Sequence, residues 1–291
     1  MPPRPILFLA GVIALMMPSV ASADVPETVY FASADGRTEI VGYLYRPAGN
    51  GPFPAMVLLH GRGGLYSSNV NTDCTLVARS VASPCNAATL SRRHRMWGEY
   101  WAALGYLALF ADSFGPRGKG RGFGRFTHDD PDRADVNEKT VRPLDAEGAL
   151  SWLRSQRDVI ANRIFLQGWS NGGSTALNVM QRQGAKTSGF RAALALYPGC
   201  GPKALLAPDL ATTAPVVLLL GSDDEEVSPA RCQDMVQRSI AAGSKVDVVL
   251  YPGATHGFDD PGRGHQSIPG NRSALEDALK RALAFVERTR D

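Results

Sequence analysis

The chain has 291 residues, a net charge of +3 and 44% hydrophobic residues. That length suffices for one large domain burying roughly three quarters of its unfolded surface, with no metal or disulfide needed for size alone. The small charge excess gives no reason to expect nucleic acid or an anionic membrane as a partner, so partners must be argued from sites.

In chain order, MPPRPILFLAGVIALMMPSVASA (residues 1–23) combines an early arginine, an apolar run from Ile6 to Met17 and the small residues Ala21, Ser22 and Ala23 before Asp24. This is the pattern of a secretory signal peptide. The run is shorter than the roughly 18–20 residues of a membrane span, and Pro18 interrupts it. Residues 24–291 are therefore expected to form a single exported domain, periplasmic or secreted, with no membrane span after cleavage. Export favours disulfides over free thiols for Cys74, Cys85, Cys200 and Cys232. Of the three possible pairings, Cys74 with Cys85 brackets one short segment, and Cys200 with Cys232 flanks consecutive strand candidates. No Cys-x-x-Cys or histidine cluster suggests a metal site, and no pattern calls for an organic cofactor.

ETVYFAS and TEIVGYLYRP read as a hairpin around ADGR, rich in β-branched and aromatic residues. Six short continuous apolar runs follow: AMVLLH, YLALFAD, RIFLQG, AALALYP, PVVLLLG and DVVLYPG. Each is too short for a helix and bounded by turn residues, as expected of strands buried on both faces. Helical spacing occupies Met96 to Leu104, Arg142 to Ser155, Asn171 to Gln183, Pro229 to Ala242 and Ser273 to Arg288. The alternation implies an α/β fold, a mostly parallel doubly wound sheet with an N-terminal β-hairpin. The aromatics of RMWGEYWAALGY and Trp152 read as core. In such sheets ligands gather at the carboxyl ends of the strands, so the loops after the six runs share one rim.

On that rim Gly168-Trp169-Ser170-Asn171-Gly172 fits the Gly-x-Ser-x-Gly elbow, preceded by a strand and followed by a helical stretch. A sharp strand-to-helix turn leaves no room for a β-carbon beside the serine, which explains the glycines. A serine hydroxyl needs a base oriented by a carboxylate, in the order serine, acid, histidine for this fold. Asp223, Asp224, Glu225 and Glu226 follow the fifth run, and His256 follows the sixth. His94, His128 and His265 lie in charged or polar stretches and read as solvated, while His60 ends a strand and shapes the next turn. The four carboxylates leave the choice of acid open at this point.

VLLHGRGGL, FADSFGPRG, GWSNGG, GSDDEEVSPARC and YPGATHGFDDPG together resemble the dienelactone hydrolase family of α/β-hydrolases, over nearly all of residues 24–291. The resemblance implies the α/β-hydrolase fold. It selects as the acid the residue three beyond the glycine that closes its strand, Asp224 counting from Gly221, with Asp223 in reserve, and it matches His256 through its HGF context. The enzyme that gave the family its name carries cysteine at the elbow, where this chain has Ser170, so a serine carboxylesterase is expected rather than activity on dienelactone itself. Cys200 lies in a different loop. The oxyanion-hole donors are expected to be the backbone N–H groups of Arg62 and Asn171, each worth on the order of 3 kcal/mol in the transition state.

The loop GPRGKGRGFGRF lacks a phosphate-loop pattern and reads as a flexible border of the site. Within it Arg117, Lys119 or Arg121 is expected to attract an anionic substrate. The whole reading is an exported serine hydrolase acting on a small-molecule carboxylic ester, lactones included, through Ser170, His256 and Asp224. The rivals are a peptidase or amidase of the same fold and a non-catalytic binding protein on the same scaffold.

Overall fold

The six apolar runs form the middle and one side of a single eight-stranded sheet in the computed structural model, which describes residues 25–186 and 188–290. The leader assigned to residues 1–23 lies outside the described residues. Strands β1 (Glu27–Ala32) and β2 (Glu39–Tyr45) make the expected antiparallel hairpin, and β2 then pairs antiparallel with β4 (Leu107–Asp112). The remaining strands, β3 (Phe53–Leu59), β5 (Val159–Trp169), β6 (Ala193–Leu196), β7 (Val216–Gly221) and β8 (Val246–Tyr251), run parallel to β4, in the spatial order β1-β2-β4-β3-β5-β6-β7-β8.

Every residue of β4, β6 and β7 is buried, because helices cover both faces of the sheet. The period-two alternation sorts the core into two layers. Met56 and Leu58 of β3 point to the layer holding α1 (Arg92–Ala103) and α6 (Pro269–Arg288). Ala55, Val57 and Leu59 point to that of α2 (Arg142–Ser155), α3 (Asn171–Gln183) and α4 (Pro229–Ala241). Helix α6 presents Ala274, Ala278 and Ala282, then Val286, as a buried stripe at four-residue spacing that lets it lie close against the strands. A four-residue helix, α5 (Arg263–Gln266), precedes it. Among the described residues no helix is long and apolar enough to cross a membrane.

Both expected disulfides are formed, Cys74–Cys85 and Cys200–Cys232. The segment that joins β6 to β7 contains no α-helix, only the 3₁₀ turn Pro202–Ala204, and the second bridge ties it to α4. One expectation is corrected here. His94 is not solvated but 4% exposed, its ring edge-on to Phe110 and Trp169 and its Nδ1 within 2.8 Å of Leu65 O and of Ser91 Oγ. The helix start explains the error. Ser91 caps α1 at Arg92, four residues before Met96, so His94, Trp97, Gly98 and Trp101 form one inward face.

Candidate active site

The chain leaves β3 toward β4 and leaves the adjacent β5 toward β6, in opposite directions, which opens a crevice between the carboxyl ends of β3 and β5. The turn after β5 stands beside that crevice. Ser170 takes φ 51°, ψ −117°, a conformation that L-residues rarely adopt, held by Ser170 N–H to Leu196 O (2.9 Å) and Ser174 N–H to Ser170 O (2.9 Å). The flanking glycines are sterically required. A β-carbon on Gly168 would run into the backbone of Gly172 and Gly173, and one on Gly172 would strike Leu59 O and His60 O at the end of β3. Ser170 stands at the N-cap of α3 but makes no capping bond with its side chain. The hydroxyl instead faces His256 Nε2 at 3.0 Å.

His256 Nδ1 lies 2.8 Å from Asp224 Oδ2. A carboxylate oxygen only accepts, so Nδ1 carries the proton and Nε2 is left to accept from Ser170 Oγ–H. Asp224 is fixed in turn, its Oδ1 accepting the Glu226 and Val227 N–H groups at 2.9 Å each, and its side chain is 1% exposed. Asp223, the reserve acid, instead accepts from Ser222 Oγ and plays no part in this chain of bonds. The Tyr197 ring stands edge-on to the imidazole with centroids 4.7 Å apart. Glu225 accepts the His256 N–H at 3.0 Å, and Glu226 Oε2 lies 3.7 Å from Nε2.

Arg62, expected as one oxyanion-hole donor, lines the same cleft as Ser170, and Asn171, the other, follows Ser170 in the chain. Asn171 is the first residue of α3, so its N–H has no acceptor within the helix. The Arg62 carbonyl accepts from Phe123 N–H at 2.9 Å, and its guanidinium reaches His128. Gly61 comes so close to the elbow that a β-carbon there would lie 3.3 Å from Trp169 O. Above Ser170 is a cleft of about 270 Å³ lined chiefly by Gly61, Arg62, Phe123, Arg125, Glu226 and His265.

The three basic residues expected to face a substrate are elsewhere. Arg117 turns inward, donating to both oxygens of the buried Asp145 at 2.9 and 2.8 Å and to Ser113 O, and its side chain is only 12% exposed. Lys119 pairs with Asp132. Lys119 and Arg121 line a separate cavity of about 330 Å³, which shares Gly63, Phe123 and Gly124 with the cleft. The loop cation that reaches the cleft is Arg125, bridging Glu225 (2.7 Å) and Glu226 (2.6 Å). His265, read as solvated, also borders the cleft.

Sequence reasoning missed Asp259 altogether. This fully buried carboxylate accepts from Trp97 Nε1 (2.8 Å), Trp169 Nε1 (2.7 Å) and Tyr197 O–H (2.5 Å), with Arg93 Nε at 3.3 Å. It thereby ties the elbow, α1, the end of β6 and the His256 loop together beneath the site. Burial pushes Tyr197 well above the usual phenol range, so its O–H remains a donor.

The same architecture is found in solved structures. A Klebsiella pneumoniae protein described as a putative dienelactone hydrolase superposes with a TM-score of 0.65 at 17% identity, over 91% of this chain and 99% of that one. A dienelactone hydrolase-like promiscuous phosphotriesterase from metagenomic libraries gives 0.64 at 19% identity, over 90% and 97%. The thermophilic esterase of Thermogutta terrifontis with propionate bound gives 0.58 at 19%, over 90% and 95%. At these identities the likeness is one of fold. Residues 90–289 match the sequence model of the dienelactone hydrolase family, which spans more than half of the chain and includes the elbow, the acid loop and the histidine loop. The chain belongs to the dienelactone hydrolase family.

Proposed function

We propose that this protein is an exported serine hydrolase that cleaves small carboxylic esters, lactones included, through an acyl-enzyme. The observation that carries the reading is the unbroken hydrogen-bonded chain from Ser170 Oγ through His256 to Asp224, open to a cleft at the carboxyl ends of the strands. Ser170 Oγ attacks the ester carbonyl carbon while His256 Nε2 takes its proton. The carbonyl oxygen becomes an oxyanion and accepts from the N–H groups of Arg62 and Asn171. The intermediate collapses, the carbon–oxygen bond to the alcohol breaks, and Nε2 returns its proton to the leaving oxygen. Water then repeats the attack on the acyl-enzyme, releasing the acid and restoring the Ser170 hydroxyl. Throughout, Asp224 holds the imidazole with its proton on Nδ1 and stabilises the transient imidazolium.

The cleft lining supports a short acyl group. Among the described residues Phe123 is the only large apolar side chain bordering the cleft, whose other side chains are charged or polar and whose volume is about 270 Å³. A long acyl chain needs a continuous apolar wall to leave water favourably. Two disulfides suit an oxidising compartment and support export.

The test is a fluorophosphonate probe together with an acyl-length panel. Native protein is expected to label and to hydrolyse acetate and butyrate esters faster than palmitate esters. Ser170→Ala is expected to lose both labelling and hydrolysis. A Ser170→Ala protein that still hydrolyses the esters, or native protein that neither labels nor turns over any ester, would reject the reading.

A further inference from the structure

Arg142 is a buried cation for which the mechanism above has no use. It is the first residue of α2, it is fully buried, and a cation at a helix N-terminus opposes the helix dipole. Burial lowers its pKa to about 10, so it remains charged at neutral pH. Among the described residues no carboxylate lies within ion-pair distance of it; the nearby Asp145, Glu138 and Asp112 charges favour its charged form, but Asp145, one turn along the helix, is paired directly with Arg117. A charge this expensive to bury implies a specific role.

Its bonds show where that role lies. Nη2 donates to His60 O at 2.7 Å, and Nη1 donates to Asn171 Oδ1. The first contact is on the segment leading into Gly61-Arg62 and the second is on the residue after the nucleophile. One guanidinium thus joins the segment leading into Arg62 to the side chain of Asn171, the two residues whose N–H groups are the proposed oxyanion donors. The Gly61–Arg62 peptide is fixed further by its own oxygen. Gly61 O accepts from His60 Nδ1 (2.8 Å) and from Gly64 N–H (3.2 Å). In a trans peptide the C=O and N–H point in opposite directions, so anchoring Gly61 O aims the Arg62 N–H away from it. His60 stays neutral for this role, because burial and the adjacent Arg142 charge hold its pKa well below the usual imidazole range.

We infer that Arg142 is the positioning residue of the oxyanion hole: its two-pronged bond to His60 O and Asn171 Oδ1 sets the spacing of the Arg62 and Asn171 donors, and its charge reinforces them from behind. This rests on the serine-hydrolase reading above. A planar fork meets both acceptors at once, whereas an ammonium offers no such matched pair of donors.

The experiment measures kcat and KM of the full-length protein on a short-chain ester, with turnover counted per active site titrated by a fluorophosphonate. Arg142→Gln is expected to lower kcat per titrated site about 100-fold, the effect of displacing a catalytic donor by about 1 Å, with KM changed less than about threefold and the acid limb of the pH profile unmoved. Arg142→Lys is expected to remain at least about tenfold below the native protein. Asn171→Ala, which removes one anchor but keeps the backbone N–H, is expected to lose about tenfold. A purely structural arginine would reduce the number of titrated sites and leave turnover at each site intact. That result in Arg142→Gln overturns the proposal. If Arg142→Gln does not fold, full per-site turnover in Asn171→Ala overturns it instead. Ser170→Ala is assayed in parallel, and activity there removes the reading beneath the proposal, an outcome distinct from either of the others.

Discussion

Gly172→Ala probes whether the elbow and the oxyanion segment are held at contact distance, as the structure requires. A β-carbon at this position would lie 2.5 Å from His60 O and closer still to Leu59 O, both of them backbone atoms at the end of β3. An ordinary carbon–oxygen approach is roughly 3.3–3.6 Å, so relieving the His60 contact alone moves α3 and the end of β3 apart by about 1 Å. Neither side can yield by a rotamer change. Overpacking of this kind costs about 1–3 kcal/mol, which for a domain of this size lowers Tm by roughly 2–5 °C. The larger effect falls on turnover. The same movement separates Arg62 from Ser170 and is expected to lower kcat about 100-fold. Thermal unfolding and short-chain ester hydrolysis measure the two effects, with Gly264→Ala as the control, since a β-carbon there meets nothing within 4 Å. If Gly172→Ala matched the native protein in both Tm and kcat, the argument that steric contact fixes the elbow would be wrong.

Acid is expected to destabilise the fold through His94, whose pKa falls from 6.5 to about 3, first through burial and then through the neighbouring Arg93 charge. The unfolded chain therefore binds a proton that the native state refuses, so stability present above pH 6.5 is lost as pH falls toward 3. This amounts to about 2 kcal/mol between pH 7 and pH 5. Urea unfolding at both pH values is expected to show a smaller fall in His94→Gln, and equal falls in the two proteins would contradict this account. Replacing Cys200 and Cys232 together by serine opens a loop with a sequence separation of 32 and is expected to cost roughly 3–4 kcal/mol of stability. A loss below about 1 kcal/mol, measured by urea unfolding under oxidising conditions, would mean that the β6–β7 connection is ordered without the bridge.

The sheet was legible because burial on both faces writes strands as short apolar runs: LALFAD, ALAL and VVLLLG are buried at every position. The elbow was legible for a different reason. Its glycines answer a local steric need, so the pattern survives in five consecutive residues. The acid was harder, since a row of four carboxylates carries no record of which one points inward. Asp224 does so because the N–H groups of Glu226 and Val227 hold its other oxygen. His94 reads as solvated because the apolar spacing starts at Met96 while the helix starts at Arg92, and a helix start displaced by one turn hides an inward face.

What could not be read at all were the charges that join distant parts of the rim. Arg117 and Arg125 lie in one loop with similar neighbours, and the two-oxygen pairing with the buried Asp145, 28 residues beyond Arg117, distinguishes the guanidinium that turns inward. Asp259 reads locally as half of an acidic pair in HGFDD, yet its partners stand 162, 90 and 62 residues away. Arg142 reads as a polar residue at a helix start. Hydropathy assigns Arg117, Asp259 and Arg142 to solvent, because a buried charge is rare unless something pairs with it. Each takes its main partners from groups distant in sequence that the fold brings together, so its role depends on the topology more than on its neighbours in sequence. A rim can therefore reveal its nucleophile locally while the residues that hold the nucleophile in register emerge only when the strand ends meet.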